Sequence, residues 1–211
     1  MPQQSAKRET RHGALRVVKL GGSLLDCADL TNRLREWLAS ELLFSNVLVV
    51  GGGRRADLVR ARTHRFTDRE AHWLAIEAME ENARAVAGLV PEAVWLDRLD
   101  RLPTTGGQVY VLSPLSFMKN DDPCHPEGPL PECWSVTSDS IAARAAELCQ
   151  ADELVLLKSA LPPPGESPAE LATIGYVDAY FPRASRKLPR VCYVDLRNWQ
   201  CCGQGQSSKI K

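Results

Sequence analysis

VVKLGGSLL, residues 17–25, decides how this chain is read. Val17, Val18 and Leu20 ask for burial, yet Lys19 sits among them. Burying an unpaired ammonium costs several kcal/mol, so Lys19 needs an anion. The two glycines that follow let the backbone turn tightly and approach a ligand closely. The stretch therefore reads as a strand end facing an anionic ligand, with Lys19 as its point charge.

Working outward, residues 15–20 form a buried strand and 28–40 an amphipathic helix. A second apolar strand, 46–50, runs directly into GGGRRADLVR, which opens a helix to about residue 62. Residues 67–89 form a long helix, with Thr67 or Asp68 as N-cap, Glu70 in the first turn and Gly88 near the end. Its apolar residues (Trp73, Leu74, Ile76, Met79, Ala83, Val86) cover a broad face, which points to the core or to a dimer contact. Short strands follow at 93–97 and 108–112, then a helical turn at SPLSFMK and a Pro-rich loop at 120–134. A helix at 138–150, a strand at 153–158, a Pro- and Gly-rich region at 159–190 and a last strand at 191–196 complete the pattern. Strands that alternate with helices, and are apolar throughout, predict an α/β fold. The architecture expected is a three-layer αβα sandwich with a mostly parallel central sheet. It is expected as one domain over 14–198, between a disordered lead-in (1–13) and a polar tail (199–211).

The totals narrow the function. Of 211 residues, 44% are hydrophobic and 25% charged, with zero formal net charge, so the basic excess of a general nucleic-acid binder is missing. No apolar run approaches a membrane span, and the polar N-terminus lacks the apolar centre of a secretory signal. Seven cysteines, an odd number without regular spacing, read as reduced thiols in the cytoplasm. Cys124 and Cys133 flank His125 without a CxxC pair, so no metal site is assigned; the Cys201–Cys202 pair is given no role.

In parallel sheets, ligands bind beyond the carboxyl ends of the strands. Four such ends carry unusual residues: Lys19 to Ser23, Gly51-Gly52-Gly53, Ser135 to Asp139, and Lys158-Ser159. Gly51-x-Gly53-x-x-Ala56 formally matches a dinucleotide fingerprint, but Asp68 and Glu70 fall at a helix start rather than at the end of the next strand. What survives is either an anion facing backbone N–H groups at a helix start, or a tight turn that needs glycine. No GxxxxGK[ST] loop occurs. Phosphoryl transfer needs positive charge over the moving group, and Lys19 and Lys158 at neighbouring strand ends supply it. Two ammonium groups at one site repel, so a carboxylate between them is expected, and Asp139 is the candidate. The plainer alternatives are an ordinary helix cap or dipole partner for Asp139 and a solvated strand-end charge for Lys158.

Together, KLGGSLL, VVGGGRRAD, SVTSDSIAARAAEL and ELVLLKS resemble, in order, the motifs of the amino acid kinase family. The resemblance implies an ATP-dependent kinase acting on a small molecule, with Mg2+ carried on ATP and held mainly by phosphate oxygens and water. It implies that Lys19 contacts the transferred phosphoryl group and that Gly21, Gly22 and Ser23 bind ATP phosphates. Gly51, Gly52 and Gly53 would lie against the acceptor, with Arg54 and Asp57 as further acceptor contacts. Asp139 would orient the lysines, while Lys158, next to Ser159, would reach the nucleotide phosphates. A homo-oligomer, dimer or higher, is expected, with a dimer through the 68–87 helix as its simplest form.

The short chain, HWLAIEAM with His72, W-x-V-T-S-D-S-I-A-A and GYVDAYFP resemble the branch that phosphorylates an aminomethylfuran methyl phosphate in methanofuran-type cofactor synthesis. A phosphate-monoester acceptor would give a diphosphate. Arg54, Arg55, Arg60 and Arg62 could hold its extra charge, or form a solvated helix face. KSALPPPGES stands where many members carry a TDVDG-like segment. That departure keeps two alternatives open: an amino-acid or carboxylate kinase forming an acyl phosphate, and a non-catalytic binding protein.

Overall fold

The computed structural model describes residues 14–40, 44–103 and 106–200. The expected lead-in, most of the polar tail and the Cys201–Cys202 pair lie outside the described residues. Among the described residues six strands form one sheet: β1 (Ala14–Leu20), β2 (Phe44–Val50), β3 (Val94–Leu96), β4 (Val109–Leu112), β5 (Glu153–Lys158) and β6 (Val191–Asp195). The order is β3-β4-β2-β1-β5-β6, and every pairing is parallel.

Seven α-helices among the same residues connect them: α1 (Leu30–Ser40), α2 (Gly53–Arg60), α3 (Asp68–Leu89), α4 (Pro114–Asn120), α5 (Ser138–Leu148), α6 (Pro168–Thr173) and α7 (Phe181–Ala184). The central strands are buried on both faces because both faces carry helices, which is why they read as continuous apolar runs. Leu15, Val17, Val49, Leu154 and Leu156 pack with Ile76, Met79, Phe117 and the α5 residues Ile141, Ala142 and Ala145. On the opposite face Val18, Leu20, Leu48, Val155 and Leu157 pack with Leu34, Trp37 and Leu38 of α1.

The broad apolar face of α3 has an internal explanation. Ile76 and Met79 enter the first core, whereas Ala83 and Val86 enter the second. The helix starts with a full capping box between Thr67 and Glu70. Ile76, Met79, Ala83 and Val86 are therefore used within this chain, whereas Leu74 enters neither core.

The chain leaves β1 toward β2 on one side and returns as β5 on the other. This reversal opens a crevice at the carboxyl ends of β1 and β5, where an open parallel sheet places its ligand. Lys19 and Lys158 lie at those two ends.

Candidate active site

Side chains alternate along a strand. Lys19 follows Leu15 and Val17 onto the α5 side of β1, and Lys158 follows Leu154 and Leu156 onto the same side of β5. Nine successive residues at the start of α5, Ser138 to Ala146, are buried. Alanines at 142, 143, 145 and 146 let the helix lie close to the sheet. A short aspartate in its first turn then reaches both lysines: Asp139 Oδ1 is 2.9 Å from Lys19 Nζ, and Asp139 Oδ2 is 2.9 Å from Lys158 Nζ.

The electrostatics follow from this bridge. Burial alone would raise the Asp139 pKa, but the two ammonium groups outweigh it and hold the carboxyl below its ordinary value. Burial, with the neighbouring Lys19 charge, pulls Lys158 down to about 8 despite Asp139. Lys158 Nζ also donates to the Tyr176 carbonyl at 2.9 Å.

Two glycine loops meet in front of this group. Gly51 N donates to Leu20 O and Gly21 N to Leu157 O, each at 2.9 Å, so both loops continue the strand ladder. A Cβ on Gly22 would lie 2.5 Å from Gly53 N, so the loops touch backbone to backbone. Gly53 has φ of +53°, a conformation that favours glycine. Ser23 Oγ donates to Ser159 Oγ at 3.2 Å, joining the loops after β1 and β5.

Beyond Gly22 and Gly52 lies a cavity of about 250 Å3, lined also by Ser23, Gly53, Asp57, His72, Trp134 and Ser138, among others. Arg60 also lines it and lies over the Trp134 ring at 4.7 Å from the centroid. Arg54, Arg55 and Arg62 are exposed and do not line it; Arg55 pairs with Glu81. The Pro-rich segment before Trp134 is tied down on α5. Asp122 faces Arg144 at 3.6 Å, His125 Nε2 lies 3.1 Å from Glu147, and Arg144 donates to Gly128 O at 3.3 Å.

Three supporting residues escaped the sequence reading. Asn82 Nδ2 donates to Gly51 O at 2.9 Å and Gly52 O at 2.8 Å, fixing the second glycine loop to α3. Tyr176 supplies the carbonyl that holds Lys158. Asp178 accepts from Thr137 N, Thr137 Oγ1 and Ser140 N, each at 2.9 Å, and from Ser140 Oγ. It thus caps α5, whose own N-cap residue Thr137 makes no side-chain cap. Of these, Tyr176 and Asp178 carried a signal, because both fall within GYVDAYFP. Asn82 looks like one more polar position on a long helix.

Two polar atoms on the cavity's lining residues are buried without a partner: His72 Nε2 and Trp134 Nε1. An orphaned buried group costs about 1–3 kcal/mol.

No curated protein matches this chain. Among solved structures, uridylate kinase from Archaeoglobus fulgidus is 20% identical, with TM-score 0.55 over 87% of this chain and 92% of that one. UMP kinase from Ureaplasma parvum is 16% identical, with TM-score 0.57 over 87% and 91%. Aspartate kinase from Synechocystis is 17% identical, with TM-score 0.59 over 85% of this chain and 38% of that one. These likenesses share the fold. The family model described as amino acid kinase family matches residues 14–160. That span holds both glycine loops, Asp139 and both lysines, and the chain belongs to the amino acid kinase family.

Proposed function

We propose that this protein is an ATP-dependent small-molecule kinase, working as one domain over residues 14–198, and that its acceptor is a phosphate monoester on a furan ring, as in methanofuran-type cofactor synthesis. The observation that carries the reading is the single carboxylate of Asp139 held between Lys19 and Lys158 at adjacent strand ends. Such a bridge holds two ammonium groups at one place, which is what a phosphoryl group in transfer requires.

In this reading an acceptor phosphate oxygen forms a bond to the γ-phosphorus. The bond from that phosphorus to the β,γ-bridging oxygen breaks, and ADP departs with the electron pair. A phosphate monoester is largely a dianion at pH 7, so the attacking oxygen needs no base. Lys19 offsets charge on the moving group. The backbone N–H groups of Gly21 and Gly22, with Ser23, receive donor phosphates, and Lys158 neutralises them from the β5 side, beside Ser159. Gly51, Gly52 and Gly53 border the acceptor, with Asp57 on the cavity lining. Mg2+ would supply charge neutralisation between donor phosphates. The residues present fit that role, since the crevice offers cations and backbone donors to phosphate oxygens rather than a carboxylate cage.

The test is ADP release with Mg-ATP and aminomethylfuran methyl phosphate, with UMP as comparison acceptor and Lys19→Ala alongside. Turnover by the native chain and a loss of at least a hundredfold in Lys19→Ala supports the reading. Full turnover by Lys19→Ala would sink the mechanism. Trapping by hydroxylamine would move the acceptor to a carboxylate. Failure to bind Mg-ATP at millimolar concentration in folded protein would leave a non-catalytic binding protein.

A further inference from the structure

The cavity beside the glycine loops has two ends. Met79 lies against Gly52, its Cγ 3.5 Å from where a Gly52 Cβ would stand. His72 is seven residues earlier on α3, hence roughly 10 Å away along the helix at 1.5 Å per residue. Ala75 and Ile76 line the stretch between. The cavity thus runs from the glycine loops to the second turn of α3, where His72 and Trp134 meet it.

His72 is 2% exposed. The Cys133 backbone lies against the ring and favours a proton on it, and with Nε2 unpartnered that influence falls on Nδ1. Burial, the largest influence on the ring, lowers its pKa and so favours the neutral imidazole. Nε2 is therefore a hydrogen-bond acceptor, and it has no partner. A buried polar atom without a partner on a cavity wall calls for a water or a ligand group.

We propose that His72 Nε2 is the specificity contact of the acceptor site, accepting a hydrogen bond from an N–H group at the end of the substrate opposite its phosphate. The inference rests on the acceptor reading above and deepens it. It describes the acceptor as a one-ring phosphate monoester with an N–H donor at the end of the ring opposite the phosphate, short enough to fit between Met79 and His72. An aminomethyl arm across a furan ring satisfies that description, and so does the N3–H edge of a uracil nucleotide. Nε2 itself is covered here, so the donor reaches it only with a local shift of the cavity wall.

The experiment is calorimetric binding without ATP, using two ligand pairs. One pair is aminomethylfuran methyl phosphate and its analogue with methyl in place of the aminomethyl arm. The other is UMP and 3-methyl-UMP. In the native chain the donor-lacking member of the binding pair is expected to bind about tenfold more weakly, a difference of about 1.4 kcal/mol. In His72→Leu the two members should bind alike, and His72→Gln, which keeps an acceptor oxygen, should restore part of the preference. Should His72→Leu be unstable, His72→Met removes the same acceptor. Equal binding in the native chain overturns the inference while leaving the kinase reading intact if ADP release persists. A preference that survives in His72→Leu overturns it too, and assigns Nε2 to an ordered water. If none of the four ligands binds, the phosphate-monoester reading falls and takes this inference with it.

Discussion

Asp178 grips Thr137 across 41 residues of sequence, accepting from both its backbone N–H and its hydroxyl at 2.9 Å. The same carboxylate takes the N–H and hydroxyl of Ser140, so four donors at the start of α5 converge on one side chain. Asp139 lies between those two residues. Its aim at the lysines is set by a cap supplied from the segment before α7.

Replacing Asp178 with Ala should therefore weaken both fold and chemistry. Loss of a helix cap costs up to about 2 kcal/mol, which for a chain of this size lowers Tm by about 4–8 °C. Asp178→Asn keeps an acceptor oxygen and should fall between native and Ala. Thermal unfolding gives the first quantity and single-turnover kinetics the second. A change in Tm with an unaltered single-turnover rate would confine Asp178 to stability.

The Asp139 bridge should respond more severely. Removing one partner of a buried ion pair costs about 3–5 kcal/mol, because the remaining charge stays uncompensated. Here Asp139→Ala would leave two buried ammonium groups facing each other. Urea denaturation should show a loss in that range. Lys19→Met, which leaves Asp139 paired with Lys158, should cost less stability while still abolishing turnover. A loss below about 1 kcal/mol for Asp139→Ala would mean that the carboxylate does not carry the bridge.

The order of strands and helices was legible because the strands here are apolar on both faces and each is cut off by Gly, Pro or a charge. Lys19 was legible for the same reason: a charge within a buried strand has few explanations. Asp139 could be placed between the lysines by asking what keeps two ammonium groups together. Asn82 and the capping role of Asp178 were not legible, since both act on backbone groups brought near only by the fold. The broad face of α3 read equally well as core or dimer contact. Only the structure shows that its two halves serve opposite sides of the sheet. Of the four arginines around α2, Arg60 alone lines the cavity, while Arg55 is drawn instead to Glu81 on α3.

Lys158 should give opposite pH signatures in stability and in rate. Burial, followed by Lys19, places its pKa at about 8 in the folded chain, against an ordinary 10.5. Between those values the unfolded state binds the proton and the folded state does not. Stability therefore rises with pH across that window. Activity should move the other way, since in the proposed mechanism neutral Lys158 no longer offsets phosphate charge. The profile of kcat/KM, which reports the free enzyme, should fall with a midpoint near the Lys158 pKa of about 8. Lys158→Met should lose both features. A rate that stays flat from pH 7 to 10 would remove Lys158 from the reacting group.

The contact between the glycine loops yields a test with an internal control. A methyl on Gly22 would meet Gly53 N at 2.5 Å and Gly53 Cα at 2.7 Å, both backbone atoms that cannot rotate aside. The loops must then separate, and the backbone donors of Gly21 and Gly22 move with them. Gly22→Ala should cut turnover by at least tenfold and raise the KM for ATP, because in the proposed mechanism those donors receive phosphate. Gly88, exposed near the end of α3, has nothing within 4 Å of where a methyl would stand. Gly88→Ala should gain about 0.5–1 kcal/mol from helix propensity alone, with turnover unchanged. Steady-state kinetics and thermal unfolding on both variants separate the two effects. If Gly22→Ala retained native kinetics, close approach of the loops would not be what positions the phosphate donors, and the role would pass to Lys19 and Ser23.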